Sequence, residues 1–268
     1  MKRYKIGVCD ASFTLGKAIL KSLIDYNLPY SFFRALTLKE NINEVKIDDY
    51  TFSLNKLSFD SLKDLDFVIL MNNLQNKNEY INYLKENNKI YLIVNDYKDS
   101  LSMIKKEIIG NNEEVEAINF YGAISEGEEG ISELENQYLA YFNNMPMIAN
   151  IFQTNNQKVP LAFNIIPFKK DNNLNFYISS LYGCAMLMKT RCSDFSLIEN
   201  IKNNEHIKYY ENKLPSILEC EGNEFIHIGV VSQNDQEVTL FATYDIRKII
   251  VRETIKEIKE RIKNDEIL

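Results

Sequence analysis

Apolar and polar positions alternate along the first 95 residues as strands and helices do. Apolar runs predict strands at residues 6–9, 33–38, 66–71 and 90–94, and residues 50–54 alternate as a short exposed strand does. Apolar residues at helical spacing follow the first run, and residues 79–86 predict a second helix. Strands that alternate with helices in this way predict an α/β fold with a parallel, doubly wound sheet.

The first strand leads through a short loop into the first helix, which is the usual place for a bound phosphate. A dinucleotide loop uses glycine at its tight turn, at its closest approach to the phosphate, and where helix packs on strand. Gly16 occupies the third of these places, but Asp10 and Phe13 occupy the first two. We interpret the loop as the relic of a cofactor site formed by Ser12, Phe13, Thr14, Leu15 and Gly16.

Charge and hydropathy exclude two classes of partner. The net charge of −7 argues against nucleic acid, whose phosphates require a basic face. No stretch reaches the roughly 18 apolar residues of a membrane span, and the N-terminus lacks the apolar region of a signal peptide. We therefore expect a cytoplasmic protein that binds neither nucleic acid nor membrane.

Cysteine and histidine are sparse. Cys9, Cys184, Cys192 and Cys220 form no C-x-x-C pair and have no histidine at metal-ligand spacing, so we expect reduced, structural thiols and no metal. His206 lies in a polar segment and is expected at the surface. His227 lies in an apolar strand without an evident acidic partner, so we expect a structural or surface role rather than a general base.

Four segments resemble the aspartate-semialdehyde dehydrogenase family in the correct order: residues 27–73, VEAINFYGAISEGEEGISEL from Val115, VPLAFNIIP from Val159, and YDIRKIIVRETIKEI from Tyr244. The resemblance covers nearly the whole chain. It implies a Rossmann-like NAD(P)-binding-type domain at residues 1–112, completed by a C-terminal helix at 246–268. It also implies an α+β dimerisation domain at residues 113–245.

The cofactor positions implied by the resemblance carry other residues. Where the family holds the 2′-phosphate with Ser-Arg-Ser, this chain has Leu38 or Lys39, then Glu40 and Asn41, and a carboxylate repels a phosphate. After the strand ending at Met71 the family has small residues, whereas this chain has Asn72, Asn73 and Leu74. We therefore expect no cofactor, and NADP if any.

The catalytic positions are also altered. The family's cysteine segment has no counterpart between Asn95 and Val115, and its substrate-orienting glutamine aligns with Gly122. A helix that follows in the family is missing after Pro167. The family's substrate-binding arginine and general-base histidine then align with Tyr177 and Cys184.

These positions predict a non-catalytic relative of the family with a binding or regulatory role. The resemblance places the association surface on the second domain's sheet, where we predict one strand at 176–188, rich in Tyr, Leu and Met. We expect a homodimer, or a heterodimer with an intact relative. The alternatives are a diverged NADP-dependent semialdehyde dehydrogenase with another acid–base pair, and a nucleotide sensor in which Ser12 and Thr14 hold a phosphate.

Overall fold

The computed structural model describes residues 3–26, 28–95, 101–110, 115–154, 157–171, 174–181, 183–191, 196–234 and 236–265. The chain divides into two compact units, one formed by Met1–Asp96 with Ile250–Leu268 and the other by Tyr97–Ile249. Cys192 and the predicted boundary at residues 112 and 113 lie outside the described residues.

A six-stranded sheet forms the first unit, with strand order β3-β4-β2-β1-β5-β6. Its strands are β1 (Tyr4–Val8), β2 (Tyr30–Thr37), β3 (Glu44–Ile47), β4 (Tyr50–Lys56), β5 (Phe67–Met71) and β6 (Ile90–Val94). Its helices are α1 (Thr14–Asp25), α2 (Phe59–Leu62) and α3 (Lys77–Glu86). All neighbouring strands are parallel except β3 and β4, which form an antiparallel hairpin.

Strand β5 lies in the interior of this unit. All five of its residues are buried, as expected for a parallel strand with both faces covered. One apolar cluster beside the sheet combines Cys9 at the end of β1 with Leu36, Leu70 and Leu74. The ends of β1, β2 and β5 are therefore held by shared packing.

A seven-stranded mixed sheet forms the second unit, with order β10-β11-β7-β12-β15-β14-β13. Its strands are β7 (Val115–Tyr121), β10 (Ile165–Asp171), β11 (Leu174–Ser179), β12 (Cys184–Arg191), β13 (Ile207–Tyr210), β14 (Ile226–Gln233) and β15 (Glu237–Tyr244). A small hairpin contains β8 (Gln153–Thr154) and β9 (Gln157–Lys158).

The helices of the second unit are α4 (Leu101–Ile109), α5 (Gly127–Phe142), α6 (Ser196–Asn203) and α7 (Ile217–Cys220), and a 3₁₀ helix spans Ala123–Glu126. The last helix, α8 (Ile246–Asp265), begins in this unit and continues in the first. Within the described part of the chain, no helix combines the length and the apolar character that a bilayer span requires.

The prediction of one strand at residues 176–188 is wrong. The segment contains two strands, β11 and β12, and β7 lies between them in the sheet. The apolar run continues through Leu181, so only Ser180 and Gly183 mark the turn in the sequence. A Cβ atom at position 183 would lie 2.6 Å from the side chain of Ile217, which explains the glycine at this place.

The two faces of the seven-stranded sheet differ in burial. On one face, residues such as Ala117, Phe176 and Met186 are buried. On the opposite face, which we call the outer face, large apolar side chains remain half-buried: Ile118, Phe120, Tyr177, Leu187 and Phe241. The rings of Phe120 and Tyr177 stack there with their centres 5.6 Å apart.

Candidate functional site

The turn between β1 and α1 keeps the backbone geometry of a dinucleotide loop. Asp10 has a φ of 54°, a left-handed conformation that glycine adopts readily and aspartate tolerates. The carbonyl oxygen of Asp10 accepts a hydrogen bond from the Phe13 N–H at 3.0 Å, which closes the turn. An aspartate thus occupies the place of the first glycine in a left-handed conformation that glycine also adopts.

Gly16 lies where α1 packs against this turn. A Cβ atom at position 16 would lie 2.4 Å from the Asp10 carbonyl oxygen and 2.8 Å from the Cα of Ala11. Both are backbone atoms, so the turn admits no side chain here. Gly16 has the packing role of the third glycine in such loops, and the neighbouring Leu15 is buried in the core.

The side chains of Phe13 and Lys39 meet at the start of α1. Phe13 is the residue before the first helical turn, and its side chain is 39% exposed. The ammonium nitrogen of Lys39 lies 4.1 Å from the centre of its ring, a cation–π contact. Burial raises the pKa of Asp10, and the Lys39 charge partly offsets that rise. A ring, an ammonium and a carboxyl therefore stand where a nucleotide loop presents bare backbone.

The two hydroxyl groups of the loop have different surroundings. Ser12 is buried and makes a 3.0 Å hydrogen bond through Oγ with Oγ1 of Thr37 at the end of β2. Thr37 Oγ1 also accepts a hydrogen bond from the Lys39 N–H at 3.0 Å. Ser12 thus connects the loop to β2. Thr14 Oγ1 is buried and has no hydrogen-bond partner among the described residues.

An ion pair lies beyond the end of β2. The Lys56 ammonium donates to Glu40 Oε1 at 2.8 Å, and this hydrogen bond lowers the pKa of Glu40. Both side chains are exposed. The position at which the resemblance places a phosphate-binding arginine therefore carries an ionised carboxylate with its own counter-charge. The pairing of Lys56 with Glu40 was not apparent from the sequence, because the two residues are 16 positions apart.

The end of β5 is filled by its own side chains. Lys77 Nζ donates to the Asn72 carbonyl oxygen at 2.9 Å and to Asn72 Oδ1 at 2.5 Å. Leu74 is 5% exposed and packs in the apolar cluster with Cys9. The resemblance implies small residues at this turn in the family. In this chain the contacts of Asn72 and Leu74 fill the turn.

In the second unit, two aligned catalytic positions come together. Cys184 is the first residue of β12, is fully buried, and accepts a backbone hydrogen bond from Gly122. Burial raises the pKa of Cys184 to about 12 and that of nearby Cys220 to about 11. Both thiols therefore stay protonated at neutral pH, because a thiolate is costly in an apolar site.

Tyr177 does not join this pair. It aligns across β7 with Phe120 and Ala185, so it lies on the outer face of the sheet. Cys184 directly precedes Ala185, and successive strand residues point to opposite faces. The place of the substrate arginine therefore holds a ring that faces away from Cys184.

Asp245 anchors the start of α8. Its Oδ1 accepts hydrogen bonds from the Arg247 N–H at 3.1 Å and Nε at 3.2 Å, and its Oδ2 accepts from Arg247 Nη2 at 3.0 Å. The Gly222 N–H also donates to Oδ2, at 3.1 Å. An N-cap and a bidentate ion pair within the chain thus account for Asp245 and Arg247 without a ligand.

His227 is 1% exposed, and both ring nitrogens have partners. Nδ1 lies 2.9 Å from the Tyr210 hydroxyl and Nε2 lies 3.1 Å from Asn223 Oδ1. Burial lowers the pKa of His227, and the Lys208 charge lowers it further. In the described residues, His, Cys, Asp and Glu side chains nowhere gather in threes as a metal site requires.

A buried polar pair on α5 was missed in the sequence. Glu133 accepts hydrogen bonds from the N–H groups of Asn150 at 2.8 Å and Ile151 at 3.0 Å, and from Gln137 Nε2 at 3.1 Å. Gln137 Oε1 accepts from the Leu161 N–H at 2.7 Å. The pair holds two loops on α5. Its partners in the loops are 11 to 25 positions away, so local sequence carries no signal for it.

No sequence-family profile and no curated protein matches the chain. Solved structures match it almost end to end. Aspartate semialdehyde dehydrogenase II from Vibrio cholerae is 14% identical with a TM-score of 0.78, over 98% of this chain and 99% of that one. The chain has the aspartate-semialdehyde dehydrogenase fold.

Two further structures agree with this conclusion. A probable aspartate-semialdehyde dehydrogenase from Pseudomonas aeruginosa is 11% identical with a TM-score of 0.75, over 95% of this chain and 98% of that one. The Francisella tularensis enzyme is 12% identical with a TM-score of 0.65, over 96% and 100%. The predicted fold class, a Rossmann-like doubly wound sheet with an α+β domain of the semialdehyde dehydrogenase type, is confirmed. In this aspartate-semialdehyde dehydrogenase fold, Phe13 lies in the loop that the sequence predicts to be the relic of a cofactor site, directly before α1.

Proposed function

We propose that this protein is a non-catalytic relative of the aspartate-semialdehyde dehydrogenases that has a binding or regulatory role as a dimer. The observation that carries the proposal is the environment of Cys184, which stands in the aligned place of the general base. A base must accept a proton near neutral pH. A buried thiol with a pKa of about 12 is already protonated there, so it cannot serve.

The loop after β1 supports the same proposal. A phosphate at the start of α1 would meet the Phe13 ring and the Asp10 carboxyl, and the Lys39 ammonium is already engaged over that ring. Gly16 is retained because packing of α1 requires it. The loop thus keeps the glycine that packing of α1 requires, and it lacks the open backbone that a nucleotide phosphate would approach.

An activity assay tests this proposal. The purified protein is incubated with aspartate semialdehyde, phosphate and NADP⁺, and NADPH formation is followed by absorbance. We expect no turnover above the rate without protein. Any such turnover would contradict the proposal and favour a diverged dehydrogenase. Loss of turnover in Cys184→Ala would identify Cys184 as part of the active site. Turnover that survives this substitution would indicate a different acid–base pair.

We place the dimer contact on the outer face of the seven-stranded sheet. Ile118, Phe120, Tyr177, Leu187 and Phe241 form a continuous apolar surface there, because their registers align across four neighbouring strands. Burial of such a surface is a main source of association free energy. Light scattering at micromolar concentration should give the mass of two chains, and Leu187→Glu should give the mass of one.

A monomeric wild-type protein would contradict the homodimer. Co-purification with an intact aspartate-semialdehyde dehydrogenase would then test the heterodimer form of the proposal. A heterodimer that Leu187→Glu disrupts would retain the same contact surface with a different partner.

A second candidate function, a nucleotide sensor, is favoured by one observation. Thr14 Oγ1 is buried at the start of α1 and has no hydrogen-bond partner in the described part of the chain. A phosphate oxygen would satisfy it together with the first N–H groups of the helix. If the loop binds nucleotide in this way, Thr14→Val should weaken binding at least about tenfold. Equal binding by both proteins would dismiss the sensor.

A further inference from the structure

A second apolar surface lies at the end of α5. Three aromatic rings gather around Phe163: their centres lie 4.9 Å (Tyr138), 4.7 Å (Tyr141) and 6.5 Å (Phe142) from that of Phe163. Phe142 is 73% exposed and Phe163 is 60% exposed. We call these four rings the aromatic patch. Aromatic side chains exposed together to this degree are typical of interaction sites.

Phe163 is held outward by an unusual backbone. Its φ is 60°, a left-handed conformation that bulky residues rarely adopt. The turn is closed by a hydrogen bond from the Asn164 N–H to the Leu161 carbonyl oxygen at 2.8 Å, and Leu161 is itself held by Gln137. Strain maintained by the surrounding structure at an exposed ring indicates a function for that ring.

A groove of about 830 Å³ lies on the same helix and is lined in part by Leu139, Met145 and Ile148. Its two buried polar side chains are Glu133 and Gln137, and both are already hydrogen-bonded to the loops of the same unit. The other polar side chains of the lining, among them Ser132, Asn136 and Asn143, are exposed, so the surface that remains free inside the groove is apolar. The groove is suited to apolar side chains of another protein.

The aromatic patch is continuous with the outer face. Ile165, two residues after Phe163, is 54% exposed at the start of the edge strand β10. Pro167 is also exposed and pairs with Tyr177 of the outer face. The apolar surface therefore runs from the end of α5, past the edge of the sheet, to the proposed dimer contact.

The exposed area has the size that a stable contact needs. More than half of the surface is exposed in seven large apolar side chains: Leu139, Tyr141, Phe142, Met145, Ile148, Phe163 and Ile165. At about 100 Å² each they present roughly 700 Å², close to the ~800 Å² per partner of a standard interface. A monomer rarely exposes this much contiguous apolar surface.

We propose that the aromatic patch and its groove dock on a second copy of this chain and extend the dimer contact beyond the outer face; this rests on the homodimer proposed above. In a two-fold interface the same surface serves both partners, so protruding rings of one copy can enter the groove of the other. Met145 and Pro146 line both this groove and a smaller hollow beside Tyr141 and Phe142, so rings and groove adjoin at the end of α5.

Two variants test the patch. Phe163→Gly removes the ring and also suits the left-handed backbone, so relief of strain offsets part of the packing against Tyr138 and Tyr141 that the monomer loses. Phe142→Glu places a charge on the most exposed ring position. Each should raise the dimer dissociation constant, measured by sedimentation, at least about tenfold, as loss of a central aromatic contact does. Tyr50→Glu, at an exposed ring of the first unit, is the matched control and should change nothing.

The outcomes separate this inference from the proposed function. A dimer whose dissociation constant is the same in both patch variants overturns the docking role of the patch and leaves the outer-face dimer standing. A monomeric wild-type protein overturns the docking of the patch on a second copy and the homodimer, and leaves only the heterodimer form of the proposed function. Thermal unfolding of Phe163→Gly, at a concentration where wild type is monomeric, shows whether a weaker dimer reflects the lost contact or a damaged fold. If the fold is damaged, the dissociation constant of Phe142→Glu alone decides the outcome.

Discussion

The Lys39 ammonium lies 4.1 Å from the centre of the Phe13 ring, at the start of the first helix of a dinucleotide-type loop. Lys39 follows the second strand and Phe13 follows the first, so parallel strands bring the two together. Their contact uses the space and the charge that a phosphate would need. The loop is thereby closed by its own side chains, and the glycine that remains, Gly16, has a structural reason to remain.

Gly16→Ala should destabilise the protein. The added Cβ would lie 2.4 Å from a backbone oxygen, so α1 must shift away from the turn. We expect a loss of about 1–3 kcal/mol in the free energy of unfolding, measured with urea. Ser22→Ala, in the same helix, should change it by less than about 0.5 kcal/mol. An alanine variant as stable as wild type would show that packing does not explain this glycine.

Glu133→Ala should destabilise the second unit. The substitution leaves the N–H groups of Asn150 and Ile151 without their acceptor and frees a loop that contributes to the groove. A loss of about 2–4 kcal/mol is expected, since each orphaned donor costs about 1–3 kcal/mol. Glu129→Ala is the control, because Glu129 is exposed on the same helix. Equal effects from the two substitutions would contradict the role of Glu133 in holding the loop.

Asn119→Leu should stabilise the protein. Asn119 is 0% exposed in the middle of β7, and both of its amide atoms lack a hydrogen-bond partner among the described residues. A leucine of similar size removes an unpaired polar group from the core, for an expected gain of about 1–3 kcal/mol in urea unfolding. Asn55→Leu, on an exposed strand position, should have little effect. A less stable Asn119→Leu protein would show that the amide has a partner, such as an internal water.

Stability should fall as the pH rises above 9. Burial raises the pKa of Cys184 from 9.0 to about 12 and that of Cys220 from 9.0 to about 11. Above pH 9 the unfolded chain releases these thiol protons and the native chain keeps them, so the unfolded state is favoured. Urea unfolding at pH 8, 9.5 and 10.5 should show this decline. Cys184→Ala should reduce the slope of the unfolding free energy against pH by up to about 1.4 kcal/mol per pH unit. The same slope in both proteins would indicate that the thiol contacts solvent in the native state.

Elements that depend on local pattern were predictable. The run from Phe67 to Met71 is apolar throughout and forms a strand buried on both faces. The strand–loop–helix at Ser12 to Gly16 follows from the change of hydrophobic period and from one glycine. In the second unit α5 begins at Gly127, and the exposed Glu129 in its first turn suits a helix N-terminus.

Features that depend on distant partners were not predictable. The turn near Gly183 separates β11 from β12, yet the apolar run gives no sign that β7 lies between them. Lys56 meets Glu40, and Gln137 meets Leu161, only after the chain has folded. Tyr177 and Cys184 align with the family's substrate-binding arginine and general-base histidine. The sequence gives no sign that the two residues lie on opposite faces of one sheet.

Nucleotide binding by the wild-type protein tests the central claim most directly. A thermal-shift titration with NADP⁺, NADPH, NAD⁺ and NADH to about 1 mM detects a dissociation constant of about 10 µM as roughly 2.7 kcal/mol of added stability. We predict no shift for wild type, and a shift with at least one nucleotide once Asp10 and Phe13 are both replaced by glycine. A clear shift with the wild-type protein would contradict the claim that its own side chains close the loop.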